Sequence, residues 1–128
     1  AKSIRMEVFV QEQDVPEDEE MDEYDDVAVH AIAISHGTVI GTGRLILDGF
    51  EAKIGRMAVL RSKRRFGVGS LLLELLESEA AKNGVLVIVL HAQTYVSRFY
   101  EKHGYIREGS VFFEAGIEHV LMRKMVAT

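Results

Sequence analysis

The feature that most constrains the fold is a basic, glycine-containing loop between a predicted strand and a predicted helix. Residues 64–70 read Arg-Arg-Phe-Gly-Val-Gly-Ser. Glycines at positions 67 and 69 let the backbone turn sharply and come close to a ligand, while the free N–H groups of the first helical turn point outward. Such a turn at a helix N-terminus binds anions, and the arginines strengthen it. A tight turn with a solvated basic edge is the alternative interpretation.

The hydrophobic pattern on both sides of this loop predicts a mixed α/β domain. Apolar residues at helical spacing over residues 67–82 indicate an amphipathic helix, and the apolar run 85–90 indicates a buried strand. The full predicted order is a helix at 2–11, an irregular acidic loop at 14–26, strands at 27–35, 38–47 and 51–60, the helix at 67–82, a strand at 85–90, a short helix at 96–102, and strands around Tyr105 and at 118–125. This order predicts a mixed twisted sheet with helices on both faces.

Length and composition limit the chemistry. The 128 residues suit one domain spanning positions 1–128. The sequence contains no cysteine, which excludes disulfides, thiolate zinc sites and a cysteine nucleophile. Its five histidines show no paired ligand spacing, so no metal is expected. Since the longest apolar run is far shorter than the roughly 20 residues that cross a bilayer, we expect no membrane partner and a cytoplasmic location.

The charges are unevenly distributed along the chain. The formal net charge is −5, and half of the 20 acidic residues fall within positions 12–26. Cationic side chains cluster instead at Arg61, Lys63, Arg64 and Arg65, just before the glycines. An anionic segment and a compact cationic segment in one small domain predict two ligands of different charge. The basic cluster is short and lacks an aromatic series, so no nucleic-acid partner is expected.

Two common phosphate-binding loops do not fit these residues. A P-loop requires Gly-Lys-Ser/Thr after its spacer, whereas Gly69 is followed by Ser70 and Leu71. The dinucleotide fingerprint requires a third glycine or alanine where Leu72 stands, and an acidic residue at the end of the next strand, which instead finishes His-Ala-Gln at 91–93. Both nucleotide-binding folds are therefore disfavoured.

Two motifs together resemble the GNAT acetyltransferases. Residues 64–69 match the pattern Arg/Gln-x-x-Gly-x-Gly/Ala, and residues 98–105 read Arg-Phe-Tyr-Glu-Lys-His-Gly-Tyr, which is similar to the family's Phe-Tyr-Glu-Lys-x-Gly-Phe/Tyr signature. Their order, spacing and strand–helix context agree, and residues 8–13 and 113–120 further resemble a subgroup of small bacterial GNAT proteins. The resemblance covers nearly the whole chain and implies a GNAT-like acyl-CoA N-acyltransferase fold whose first strand is missing from this chain.

The resemblance also implies that acetyl-CoA is the cosubstrate. In the family, the strand before the loop carries a bulge and diverges from its parallel neighbour, so that its backbone binds pantetheine and the thioester. The implied cofactor-binding residues are Met57, Ala58, Val59, Arg64, Arg65, Phe66, Gly67, Val68, Gly69, Ser70, Gln93, Phe99, Tyr100 and Lys102.

The resemblance implies catalytic residues as well. Tyr100 matches the family tyrosine that protonates the departing CoA thiolate, although an ordinary half-buried aromatic residue is its alternative interpretation. Lys53 stands where many relatives place a glutamate base. The base is therefore expected at His91, at Glu12 or at His30, acting through water.

The implied reaction is the transfer of an acetyl group directly to a small amine within a ternary complex. The acidic segment at 12–26 either attracts such a cationic amine or is a solvated loop. A non-catalytic acyl-CoA-binding or sensing module is the alternative function. The C-terminal strand could also pair across a homodimer.

Overall fold

The protein is described by a computed structural model that covers residues 5–11 and 27–126. Within these ranges the chain forms seven strands and two α-helices, together with two short 3₁₀ turns. The elements are β1 (Arg5–Gln11), β2 (Val27–Ser35), β3 (Thr38–Asp48), β4 (Glu51–Val59), the turn Arg61–Phe66, α1 (Val68–Lys82), β5 (Val87–Gln93), the turn Thr94–Val96, α2 (Ser97–Lys102), β6 (Ile106–Glu114) and β7 (Ile117–Met125).

All seven described strands belong to one sheet, in the order β1-β2-β3-β4-β5-β7-β6. Strands β2, β3 and β4 form an antiparallel meander, and β4 pairs with β5 in parallel through the α1 crossover. Strand β7 lies antiparallel to both β5 and β6. These observations confirm the predicted mixed sheet. They also place the 64–70 loop in the connection that leads from β4 through α1 to β5.

The prediction of a helix over residues 2–11 was wrong. Residues Arg5–Gln11 form β1 and pair antiparallel with β2, with Val8 opposite Ala31. Valine and phenylalanine favour extended backbone, and the free edge of β2 supplies the hydrogen bonds that a short helix would have to make internally. Residues Arg5–Gln11 thus form the strand next to β2 in the sheet. The predicted acidic loop at 14–26 lies outside the described residues.

Helix α1 packs on the sheet because one side of it is continuously apolar. Leu72, Leu73 and Leu76 are buried in the core, between Val68 at the first turn and Ala80 near the last. Each buried leucine contributes about 1.5–3 kcal/mol relative to an exposed one. The strands facing this helix carry small residues, including Ala31, Ala33, Gly41 and Gly43.

The two glycines of β3 set the distance between helix and sheet. A Cβ atom on Gly41 would lie 2.9 Å from Cδ1 of Leu72, and one on Gly43 would lie 2.7 Å from Sδ of Met57 and 3.0 Å from Cδ1 of Leu76. No side chain larger than hydrogen fits there without a shift of these neighbours. This close approach holds the N-terminal part of α1 over the beginning of β3 and the end of β4, which are neighbours in the sheet.

Some element boundaries differ from the predicted ones. The strand predicted at 85–90 begins at Val87 and ends at Gln93. At its start, the N–H groups of Leu86 and Val87 both donate to the carbonyl of Phe50, at 2.7 and 3.2 Å. The C-terminal strands form a hairpin whose turn has left-handed backbone at Ala115 (φ 52°) and Gly116 (φ 76°). Within the part of the chain described, no helix is long and apolar enough to cross a membrane.

Candidate active site

A β-bulge near the end of β4 is the first component of the site. Arg44 pairs with Gly55 and Thr42 pairs with Ala58, so two residues of β4 lie opposite the single residue Gly43. Arg56, one of those two, has a left-handed φ of 56°. A bulge of this kind bends its strand and redirects the residues after it. The bulge implied by the family resemblance is thereby confirmed.

Beyond the bulge, β4 and β5 separate. Their parallel pairing ends at Ile54 and Leu90, although β4 continues to Val59 and β5 continues to Gln93. The backbone of each strand beyond this point has no partner across the gap, which leaves donors and acceptors available to a ligand. A cleft of about 890 Å³ opens between the two strand ends.

Most of the residues predicted to bind the cofactor lie together along this cleft. Predicted residues among its lining are Met57, Ala58, Val59, Arg64, Gly67, Gly69, Ser70, His91, Gln93, Phe99 and Tyr100. Val68 is instead fully buried in the core, and Lys102 is exposed and outside the lining. His30 lies on β2 and does not line the cleft. Glu12 is outside the described residues, as are the side chains of Arg65 and Phe66.

One end of the cleft is formed by the glycine loop. Gly67 has a left-handed φ of 74°, and the first helical hydrogen bond of α1 runs from the Leu71 N–H to the Gly67 carbonyl at 3.1 Å. The amides of residues 68–70 precede that bond and have no partner within the helix. The Arg64 guanidinium donates to the carbonyl of Val59 at 3.1 Å, which ties the basic loop to the end of β4. This end therefore fits an anionic group such as a pyrophosphate.

The second glycine of the loop also serves helix packing. A Cβ atom on Gly69 would lie 3.3 Å from Cζ of Phe99, so the absence of a side chain lets α2 approach α1 closely. Next to it, Ser70 Oγ and His103 Nε2 are hydrogen-bonded at 2.9 Å. The two sequence motifs are therefore in direct contact, which their separation along the chain did not indicate.

Tyr100 reaches the cleft from α2. It is buried, and its ring packs edge-to-face on Phe99 at 5.0 Å and on Tyr105 at 5.9 Å between ring centroids. Burial raises the pKa of the Tyr100 hydroxyl, because the phenolate would be poorly solvated there. The hydroxyl accordingly stays protonated through neutral and mildly alkaline pH, which suits a proton donor.

The opposite wall of the cleft contains a cluster that the sequence did not reveal. His91 Nδ1 lies 2.9 Å from Glu114 Oε2, and His119 Nε2 lies 3.7 Å from Glu114 Oε1. All three side chains line the cleft. Glu114 and His119 were present in the 113–120 segment, but only the antiparallel register, which sets Gln93 beside His119, brings them to His91. Among the described residues, no group of three or more potential metal ligands is arranged to hold an ion.

Comparisons with known proteins agree with this architecture. The profile of the acetyltransferase (GNAT) domain matches residues 3–126. YjcF of Bacillus subtilis, described as an uncharacterized N-acetyltransferase, is 39% identical over 122 residues, which are 94% of this chain and 87% of YjcF.

Solved structures give the same fold. An acyl-CoA N-acyltransferase from Pseudomonas aeruginosa is 25% identical with a TM-score of 0.68, and the match covers 76% of this chain and 68% of that one. An aminoglycoside 6'-N-acetyltransferase in complex with coenzyme A is 21% identical with a TM-score of 0.69, covering 79% and 74% respectively.

Proposed function

Because the chain belongs to the GNAT acetyltransferase family and is an acyl-CoA-dependent N-acyltransferase, we propose that it transfers an acetyl group from acetyl-CoA directly to a primary amine. The acetyl donor and the amine acceptor occupy the cleft together, so that the transfer takes place within a ternary complex. The separation of β4 from β5 beyond Ile54 and Leu90 is the observation that carries this proposal.

The separated strands supply a binding surface for the extended pantetheine arm. Met57, Ala58 and Val59 line the cleft along the bulged end of β4, and Gln93 lines it from β5. A pantetheine chain carries amide groups, which can hydrogen-bond to such a strand edge as a further strand would. This arrangement would direct the thioester toward the bulge and the phosphates toward the glycine loop.

The glycine loop is proposed to hold the CoA pyrophosphate. Arg64 supplies a positive charge, and the amides of residues 68–70 supply donors at the positive end of the α1 dipole. Arg65 is proposed as a further pyrophosphate contact from its place in the motif alone, because the structure does not describe its side chain. The other predicted contact, Lys102, is exposed and outside the cleft lining, so it is assigned no role.

Tyr100 is proposed to protonate the sulfur. When the amine nitrogen attacks the thioester carbon and the C–S bond breaks, the departing thiolate needs a proton. Burial keeps the pKa of Tyr100 raised, so its hydroxyl is available as the donor. Phe99 packs against the Tyr100 ring and so helps to fix its position.

A base must take protons from the amine. Lys53 lines the cleft on β4, at the position where the family resemblance implies a glutamate in many relatives. Lys53 lacks the carboxylate of that glutamate, so the proposed base lies elsewhere in the cleft. Among the residues that the structure describes, His91 at the end of β5 lines the cleft and is the candidate base. Glu12 lies outside the described residues and is proposed as a base from the sequence alone.

The test is an acetyl-transfer assay with acetyl-CoA and a panel of diamines, amino sugars and peptides with free N-termini. Release of the CoA thiol and the mass of the acetylated amine are measured from pH 6 to 9.5. Transfer to at least one amine, with initial-rate lines that intersect as both substrates are varied, is expected. Parallel lines would contradict direct transfer. Tight CoA binding without any transfer would identify an acyl-CoA-binding or sensing module instead.

A further inference from the structure

We propose that His91, Glu114 and His119 form the site that binds the acceptor as an ammonium ion and takes from it the two protons that it loses. This inference rests on the proposed function and identifies the acceptor as a cationic amine. The three residues come from β5, β6 and β7, and they meet because β7 pairs with both of the other strands. Their side chains share one wall of the cleft.

His119 is held in one orientation by a backbone contact. It is buried, and its Nδ1 lies 2.7 Å from the carbonyl oxygen of Ile117. Since a carbonyl only accepts, Nδ1 is the nitrogen that carries hydrogen, and in the neutral ring Nε2 has a free lone pair. That lone pair is on the side of Glu114, whose Oε1 lies 3.7 Å away. A proton arriving on Nε2 would lie beside the Glu114 carboxylate.

His91 shows the same arrangement with a different partner. Its Nδ1 donates to Glu114 Oε2 at 2.9 Å, which again leaves Nε2 as the basic nitrogen of the neutral ring. The ring of Phe112 contacts both histidines, edge-to-face with His91 at 5.0 Å and stacked on His119 at 6.0 Å. Glu114 thus orients His91, the Ile117 carbonyl orients His119, and Phe112 contacts both rings. Both histidines line the same wall of the cleft.

The charges around the cleft give this wall its specificity. Among the described residues of the lining, Glu114 is the only carboxylate, and its side chain is 46% exposed. The other charged or titratable groups of the lining are Lys53 on β4, Tyr95 before α2 and Tyr100 on α2, together with Arg44, Arg56 and Arg64. Nearby Glu118 accepts a hydrogen bond from Thr94, and Glu108 pairs with Arg123. An ammonium group that enters the cleft is therefore attracted to Glu114.

Two histidines match the proton balance of the reaction. An ammonium nitrogen carries three hydrogens and an amide nitrogen carries one, so two protons leave. The first passes to one histidine Nε2 and frees the lone pair that attacks the thioester carbon. The second leaves the nitrogen after the new C–N bond forms and passes to the other histidine. Tyr100 gives one proton to the CoA thiolate and is reprotonated, and the remaining proton is released to water.

The experiment compares His119→Asn, His91→Asn and Glu114→Gln with the wild-type protein, using the best amine of the panel. Asparagine keeps a donor near the position of Nδ1 and lacks the basic Nε2 atom. His36→Asn is the matched control, because His36 lies in the exposed β2–β3 turn with a φ of 52°, which asparagine tolerates. We expect each cleft histidine variant to lose about tenfold or more in kcat. Glu114→Gln should raise KM for the amine most strongly at low salt, and all variants should keep CoA affinity within about twofold of wild type.

Chemical rescue separates a proton acceptor from a structural residue. In His119→Ala, added imidazoles should restore turnover, and the restored rate should increase with the basicity of the imidazole used. If His119→Ala does not fold, His119→Asn carries the test alone. Wild-type kcat in both histidine-to-asparagine variants, or a loss of turnover accompanied by an equal loss of CoA affinity, would overturn the inference while leaving the proposed function in place. A wild-type protein that acetylates no amine would overturn both.

Discussion

The two walls of the cleft present different kinds of groups to a ligand. The wall formed by β4 and the glycine loop contains the bulge opposite Gly43 and the left-handed turn at Gly67, and its proposed contacts to CoA are mainly made by backbone. The wall formed by β5, β6 and β7 offers side chains, namely His91, Glu114 and His119. Where the backbone makes the contacts, ligand binding should tolerate a change of side chain but not a change of backbone φ. Where side chains make the contacts, replacing one of them should have the larger effect.

Tyr100 lines the cleft from α2, and its removal should give the largest effect on turnover. Tyr100→Phe is expected to lower kcat about 100-fold while changing the CoA dissociation constant less than about twofold, because only the proton donor is lost. Since burial raises its pKa, the wild-type rate should not fall until the pH exceeds the ordinary tyrosine range near 10. Steady-state kinetics against pH and calorimetric CoA binding would measure both.

Tyr105→Phe serves as the control for that change. Tyr105 is buried beside Tyr100, but its hydroxyl donates to Glu77 Oε2 at 2.7 Å, and Glu77 also pairs with Lys124 at 3.2 Å. Its loss should lower the free energy of unfolding by about 1–3 kcal/mol and leave kcat within about threefold. Equal losses of kcat in the two variants would assign Tyr100 a packing role.

The backbone wall is tested by a pair of glycines with similar conformations. Gly67 has a φ of 74° and Gly49, in the exposed β3–β4 turn, has a φ of 67°, and no atom lies within 4 Å of a Cβ on either. Alanine at each position should cost about 1–2 kcal/mol of stability through backbone strain. Only Gly67→Ala should also weaken CoA binding, by about tenfold, as measured by calorimetry. Equal CoA affinities in the two variants would show that the turn does not position the phosphate donors.

Arg64 contributes charge to the same wall and should have a smaller effect. Arg64→Gln is expected to weaken CoA binding several-fold at low ionic strength, and the difference should shrink at high salt because exposed charges are screened. Lys82→Gln, which removes an exposed cation paired with Glu79 at the far end of α1, is the control. A salt-independent loss of affinity would mean that Arg64 acts through its hydrogen bond to Val59 instead.

Ala58→Ser should have the smallest effect of all. Ala58 is exposed and lines the cleft, and its proposed contribution is made by the backbone. The CoA dissociation constant should therefore change less than about twofold, within the range of an ordinary surface substitution. A tenfold change would show that side chains, and not backbone, define this wall.

The elements predicted most accurately were those whose signals are local. The strand, glycine loop and helix over residues 51–82 depend on turn residues and on helical spacing that neighbouring residues already specify. The strand at Arg5–Gln11 was predicted as a helix, because the decisive interaction, its pairing with β2, is distant along the sequence. Short segments with apolar residues on several faces are decided by the partner they find.

The sequence by itself indicated the family, the mixed sheet and the importance of Gly67, Gly69 and Tyr100, because each motif and each element is specified by residues close together in the chain. Only the tertiary structure decided that β4 and β5 separate after Ile54 and Leu90. It alone joined Glu114 and His119 to His91, since the β5–β7–β6 register brings residues from three strands into one wall. The physical reason is that the residues that meet in a cleft between strands lie far apart in the chain. Local sequence patterns therefore do not specify which of them come into contact.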